Sequence, residues 1–274
     1  MRVQDSGCCG SDAGGAMRIR TTAWRVFVRR WMAACRGAAA CAMLLEVFMQ
    51  TCAHAGVLAG ATRVIYTQAS PAQSLMLANT NDYPVIVQTW VDQGEADPNV
   101  LAPFVSLPAV FRLQPKETQG IRILLADVQT LPQDKESVFW LNLYEIPPAL
   151  HATAETSQDS LALAMDTQIK IFYRPEGLPE TDVAAQLRFA LTQVDGVWGI
   201  TCHNPTPYYA SLTMLEVVDG SATMPVQGEM DMMTPPLAQR RYVLGAHPPS
   251  GQTLRYSLVN DAGFPQVFET ALTR

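Results

Sequence analysis

Ser74-Leu75-Met76-Leu77-Ala78-Asn79, then Asn81-Asp82-Tyr83-Pro84, then Val85-Ile86-Val87-Gln88-Thr89-Trp90-Val91: two runs of strand character flank four turn-forming residues. The first run alternates large apolar side chains with others, the period of a half-buried strand. The second is rich in Val, Ile, Thr and Trp, which fit a pleated surface. Asn, Asp and Pro between them favour reversal of the chain. Working outward, Thr62-Arg63-Val64-Ile65-Tyr66 reads as a strand before this pair. Further strands are expected at 111–113, 118–124, 137–144 and, longest of all, 161–173. Seven short strands within about 115 residues predict an all-β fold, a β-sandwich of immunoglobulin type whose two sheets bury the alternating side chains.

The long strand runs into Arg174-Pro175-Glu176-Gly177-Leu178-Pro179-Glu180, where two Pro and a Gly suit a linker. Beyond it come six more β-like runs, at 187–193, 198–203, 210–218, 239–244, 254–260 and 267–272. Asp195-Gly196 between the first two is a hairpin signal. The chain is therefore read as an N-terminal domain over 56–176 and a C-terminal domain over 180–274, both sandwiches. No short internal repeat is apparent, although the halves share a class.

Residues 1–55 read differently. Arg18, Arg20, Arg25, Arg29, Arg30 and Arg36 precede an apolar stretch from Gly37 to Met49, and Ala53-His54-Ala55 follows. Basic, apolar, then A-x-A is the pattern of a secretory signal, with cleavage expected after Ala55. The apolar stretch, interrupted by Glu46 and Gln50, is short for a permanent span, so no stable membrane insertion is expected. The sixteen residues before Met17 look unlike any signal and leave the true start codon open. The full chain holds 19 basic and 25 acidic residues. Removal of 1–55 takes seven and three of these, leaving 12 and 22 and a net charge of −10. An acidic surface repels phosphate, which argues against nucleic acid as a partner. Five of the six cysteines depart with this segment and only Cys202 remains. No intramolecular disulfide is possible, and the thiol is expected to be buried and inert.

Chemistry is sparse. After cleavage the histidines are His151, His203 and His247. There is no H-E-x-x-H, no paired-cysteine metal spacing, no G-x-S-x-G and no phosphate-binding glycine loop. Cys202 and His203 are adjacent, and neighbours on a strand point to opposite faces. Neither an enzyme, a metal site nor a cofactor is expected. The informative segment is Ser160-Leu161-Ala162-Leu163-Ala164-Met165-Asp166-Thr167-Gln168-Ile169-Lys170. Leu161, Leu163 and Met165 share one face of it, and the twelve residues 149–160 before it read as a polar loop rich in Ala, Thr and Ser. Taken alone, such a strand would turn its large side chains into its own core.

The surroundings change that reading. Thr62-Arg63-Val64-Ile65-Tyr66, the run from Leu131-Pro132-Gln133-Asp134-Lys135-Glu136 to Ser137-Val138-Phe139-Trp140-Leu141-Asn142, Glu145-Ile146-Pro147-Pro148, and Ile169-Lys170-Ile171-Phe172-Tyr173-Arg174-Pro175 resemble, in order and spacing, the signature segments of PapD-like periplasmic pilus assembly chaperones. Asn204-Pro205-Thr206-Pro207-Tyr208-Tyr209 and Asn260-Asp261-Ala262-Gly263 are similar to the second domain of that family. The resemblance implies two immunoglobulin-like domains in a boomerang-like arrangement with a cleft between them. It implies that Arg63 and Lys170 hold the C-terminal carboxylate of a bound pilus subunit, with charge-assisted hydrogen bonds fixing its register. It implies that Leu161, Leu163 and Met165 enter the open groove of the subunit by donor-strand complementation. It implies that Glu136, Arg174 and Asp261 form a charged trio linking the domains. The implied partners are pilus subunits and an outer-membrane usher, the compartment is the periplasm, and a second copy could cap the free apolar strand.

Two points stay open at this stage. Lys170 lies an odd number of residues from Leu161, Leu163 and Met165, so either a bulge or twist intervenes or the cleft is reached from the opposite face. The short loop 149–160 resembles the branch of the family that serves rod-like pili. An alternative from another class is a secreted two-domain sandwich that binds carbohydrate or a surface ligand through its loops.

Overall fold

The computed structural model describes residues 56–94, 99, 102–127, 131–148, 163–220, 222–247 and 253–273. The expected signal segment 1–55 with its cleavage point, the loop 149–160 and Leu161 lie outside them.

The first sandwich begins with a strand that changes sheets. β1 (Val57–Ala59) joins one sheet and β2 (Arg63–Thr67) the other, and the Gly60 N–H donates to Met76 O at 2.8 Å as the chain crosses. One sheet contains β1, β3 (Gln73–Asn79), β7 (Thr118–Leu125) and β5 (Phe104–Leu107) in spatial order. The other runs β2, β9 (Met165–Arg174), β8 (Ser137–Ile146), β4 (Val85–Asp92), β6 (Val110–Leu113). Leu75 and Leu77 of β3 and Ile121 and Ile123 of β7 meet Val85, Val87, Leu141, Leu143, Ile169 and Ile171 across the interior. All are buried, and each contributes roughly 1.5 to 3 kcal/mol by leaving water. Tyr66 and Tyr173 close one end of this core around Phe104. The sequence reading missed β1 and β5, which at three and four residues are too short to display a period.

After β9 the chain passes a short helix, α1 (Val183–Gln186), capped by the Asp182 carboxylate accepting from the Ala185 N–H. The second sandwich pairs a sheet of β10 (Arg188–Val194), β11 (Val197–Asn204) and β15 (Ala238–Val243) with a sheet of β13 (Ala222–Pro225), β12 (Ala210–Asp219), β16 (Thr253–Val259) and β17 (Pro265–Ala271). The two-residue β14 (Met233–Thr234) pairs with β12. Ile200, Leu215, Tyr242 and Leu254 form its centre. The β10–β11 turn is the expected two-residue hairpin: Val194 pairs with Val197, and Asp195 and Gly196 both have positive φ. That is the backbone a tight hairpin needs to match strand twist.

Both sandwiches use one hidden device. Asn79 is buried, donates to Tyr83 O at 2.9 Å and to Gln114 O at 3.1 Å, and accepts from the Asn81 N–H. Asn204 is buried in the same way, donates to Tyr208 O at 2.7 Å and to Pro235 O at 3.0 Å, and accepts from the Thr206 N–H. Each amide satisfies backbone groups of a turn that the sheets leave unpaired. The two halves thus repeat an Asn-x-Asn/Thr-x-Tyr turn that the sequence reading did not single out.

Cys202 lies fully buried on β11, facing the second core, while His203 beside it is exposed on the other face. Burial pushes the thiol up to about 11, against the opposing effect of a hydrogen bond with Thr234. Little thiolate forms near neutrality, and the thiolate is the nucleophile. Native protein treated with a disulfide-forming chromogenic reagent at mildly alkaline pH is expected to stay unlabelled until urea is added. Prompt labelling of the folded chain would contradict this.

Candidate functional site

The two cations singled out by the resemblance come from adjacent strands. β2 runs parallel to β9 with Arg63 opposite Lys170, so the register places both side chains at one level of the sheet. Parallel pairing here follows from the sheet switch, which sends β2 along the edge of β9 instead of folding it back. Arg63 stacks over the Phe172 ring at 5.3 Å and reaches the second sandwich with long hydrogen bonds to Ser211 Oγ (3.4 Å) and Val259 O (3.3 Å). Its Nε is buried without a partner among the described residues. Burial draws its pKa below the ordinary arginine value, although Asp261 and Glu136 favour the charge. Arg63 is thus a desolvated cation with unused hydrogen-bonding capacity. Lys170 is partly exposed and donates to Asp231 Oδ1 at 3.0 Å. Asp231 is also held by Arg240 at 3.3 Å.

β9 resolves the question of alternation. Its ladder with β8 runs from Glu145–Met165 to Ser137–Tyr173 without a shift, so among the described residues no bulge separates Met165 from Lys170. Met165 shares the face of Ile169 and Ile171, which lie in the core, and Lys170 occupies the opposite face with Phe172 and Arg174. Of the two alternatives left open, the unshifted ladder supports the one in which Lys170 lies on the opposite face. Upstream of Ile169 the core face runs past the end of the sandwich, where Met165 is 49% exposed; the strand expected over 161–173 begins only at Met165 among the described residues, and Leu163, just before it, is 67% exposed. β2 covers only Lys170 to Arg174 on that flank. Between Met165 and Ile169 the outer edge of β9 therefore has no neighbouring strand among the described residues. Exposed Met165 and this open edge coincide at the start of β9, with exposed Leu163 just before it.

Glu136, Arg174 and Asp261 do meet. Arg174 Nε donates to Glu136 Oε1 at 2.9 Å, and NH1 and NH2 donate to Asp261 Oδ2 and Oδ1 at 2.8 and 3.0 Å. The second Glu136 oxygen accepts from the Tyr209 N–H at 2.8 Å, and the Tyr208 ring lies beneath the guanidinium at 4.8 Å. Glu136 and Arg174 belong to the first sandwich, and Asp261 with both tyrosines to the second. Burial raises Glu136 above the usual carboxylate range despite the Tyr209 N–H and Arg174, which lower it. For Arg174, burial opposes the charge but is outweighed by the bonds to Asp261 and Glu136, and the net shift is upward. The arginine gains from the cluster and the buried glutamate costs, so the cluster fixes geometry more than it adds net stability. Gly263 at the β16–β17 hairpin tip sits against Thr62 with φ +87, where any side chain would collide with the Thr62 hydroxyl.

These contacts enclose a cleft of about 570 Å³ lined among others by Arg63, Phe172, Arg174, Tyr208, Tyr209 and Asp261. Sequence reasoning missed Phe172, Tyr208, Tyr209, Ser211 and Asp231 as parts of this region. Phe172 and the Tyr208-Tyr209 pair stood within quoted segments without being marked as site residues, and nothing in the local pattern marked Ser211 or Asp231.

With the geometry in view, the relatives are informative. Residues 56–179 match the family described as "Pili and flagellar-assembly chaperone, PapD N-terminal domain", and residues 182–268 match "Pili assembly chaperone PapD, C-terminal domain". Chaperone protein FimB/FhaD of Bordetella pertussis is 40% identical over 207 residues, 73% of this chain and 80% of that one. The probable fimbrial chaperone YadV of Escherichia coli is 34% identical over 64% of this chain and 74% of its own. A solved complex of the Salmonella enterica SafA pilin with the SafB chaperone aligns with a TM-score of 0.66 at 29% identity, covering 79% of this chain and 96% of that one. Two sandwiches in tandem, the Arg63–Lys170 register and these likenesses together place the chain in the PapD-like pilus assembly chaperone family.

Proposed function

We propose that the chain binds and caps pilus subunits by lending them the upstream half of β9. The observation that carries this reading is that exposed Met165, preceded in the chain by exposed Leu163, stands where β9 has an edge lacking a neighbour among the described residues. An incomplete sheet adds a strand through main-chain hydrogen bonds, and alternate side chains fill its open core. Chaperone–pilin complementation is a known instance of that mode. Leu161, outside the described residues, has the same parity in the sequence. Arg63 and Lys170, one level further along, receive the subunit's terminal carboxylate and set the register in which the apolar side chains enter. Glu136, Arg174 and Asp261 hold the angle between the sandwiches that keeps the cleft open.

The pathway around this step belongs to the same reading. Residues 1–55 direct export and are removed after Ala55, the protein works in the periplasm, and subunits pass to an outer-membrane usher by exchange of the lent strand. The domains meet at 176–180, between β9 and α1. No catalysis is required, since release is driven by strand exchange, and a second copy shields the apolar stripe when no subunit is present.

Co-expression with a pilin from the same gene cluster is expected to yield a one-to-one complex from periplasmic extract. Leu163→Ser removes one apolar side chain from the stripe at a site where the free protein loses nothing. Burial of one such side chain is worth roughly 1.5 to 3 kcal/mol, so the complex is expected to weaken by about tenfold or more. Unchanged affinity in Leu163→Ser and in the matching Met165→Ser would remove this strand from the mechanism.

A further inference from the structure

Resting on the carboxylate-anchor reading above, we infer that Asp231 is a built-in stand-in for the subunit's carboxylate, occupying Lys170 until a subunit displaces it. The two anchoring cations are in different states. Arg63 has a buried Nε with no partner among the described residues and two long bonds, both from NH1, so it can bind a carboxylate without giving up a strong interaction. Lys170 is already engaged, its ammonium 3.0 Å from Asp231 Oδ1. Asp231 comes from the segment between β13 and β14 of the other sandwich, so this bond joins the two sandwiches.

The segment is arranged so that Asp231 can leave without being stranded. Arg240 on β15 donates to the second Asp231 oxygen at 3.3 Å, to Met233 O at 2.9 Å and to Glu229 Oε2 at 2.6 Å. When a terminal carboxylate takes Lys170, Asp231 keeps Arg240 as its counter-ion, and no uncompensated charge is left behind. Asp231 is itself about two-fifths exposed, and exposed pairs are weak because water competes for both ions. The stand-in therefore lowers affinity modestly and covers the lysine charge in the empty protein. The exchange puts Arg63 first and Lys170 second in the order of docking.

The test uses the full chain and a fluorescent peptide of alternating apolar residues with a free C-terminal carboxylate, alongside the same peptide ending in an amide. Wild-type protein is expected to prefer the acid. Loss of that preference would bring down the anchor reading itself. Given the preference, Asp231→Asn is expected to bind the acid about two- to fivefold more tightly with the amide unchanged. Glu229→Gln removes the same charge from the same segment without touching Lys170, and is expected to stay close to wild type. No gain in Asp231→Asn, or an equal gain in Glu229→Gln, would overturn the stand-in.

Discussion

Lys170→Ala and Arg63→Ala are each expected to abolish recovery of the chaperone–pilin complex, lowering affinity by at least about a hundredfold. A hydrogen bond to a charged group is worth about 1.5 to 3 kcal/mol, and each cation can give a terminal carboxylate more than one. The loss also removes the register, since without an anchor the strand can pair in several offsets, most of which put apolar side chains on the wrong side of the pleat. The two variants should differ in the free protein. Lys170 is partly exposed and bound to an exposed aspartate, so Lys170→Ala is expected to melt within a degree or two of wild type. Arg63 bridges the sandwiches through Ser211 and Val259 and stacks on Phe172, and its removal should lower the melting temperature measurably. Pull-down from periplasmic extract with calorimetry on both free proteins separates the effects. An intact complex in Lys170→Ala would dismiss the lysine as an anchor.

The largest stability effect is expected at the domain junction. Arg174→Ala strands Glu136, which is 3% exposed and would retain, among the described residues, only the Tyr209 N–H. Breaking a buried pair from one side costs about 3 to 5 kcal/mol, read here as a lowered urea midpoint. The sign of the pH dependence follows from Glu136. Its folded pKa already lies above the unfolded value because of burial, and loss of the guanidinium raises it further. A carboxyl that holds its proton more tightly when folded destabilises the fold once ionised. The Arg174→Ala deficit should therefore be greatest near neutral pH and shrink as pH falls through the raised folded value towards the ordinary carboxylate range. Glu136→Gln in the same background should recover part of the loss. A deficit independent of pH, and not relieved by Glu136→Gln, would mean that the arginine acts through packing on Tyr208 instead. Domain orientation can be followed in parallel by small-angle scattering.

Alternation and turn chemistry made most of the fold legible. The runs at 74–79, 85–91 and 118–124 fall on β3, β4 and β7 within a residue or two at each end, because each spans a core face long enough to repeat its period. Asp195-Gly196 announced its hairpin for a local reason, the need for positive φ at both positions. What escaped was either too short or too distant. β1, β5, β13 and β14 hold two to four residues, less than a readable pattern. The sheet switch between β1 and β2 depends on which neighbour offers hydrogen bonds, a matter settled far away in the chain. Arg63, Lys170, Glu136, Arg174 and Asp261 were named through resemblance, since a lone charge on a strand carries no mark of its partner.

The sequence alone determined two tandem sandwiches and the alternation of large apolar residues at 161, 163 and 165, because period and turn residues act over a few positions. Whether that stripe faced inward or outward could not be read from it, as the pattern is the same in both cases. Tertiary structure decided this: β9 outruns its own core, so Met165 at its start and Leu163 just before it are exposed while Ile169 and Ile171 remain inside. It also decided that Asp231, sixty-one residues from Lys170, closes on that lysine, since Coulomb attraction acts through space and not along the chain.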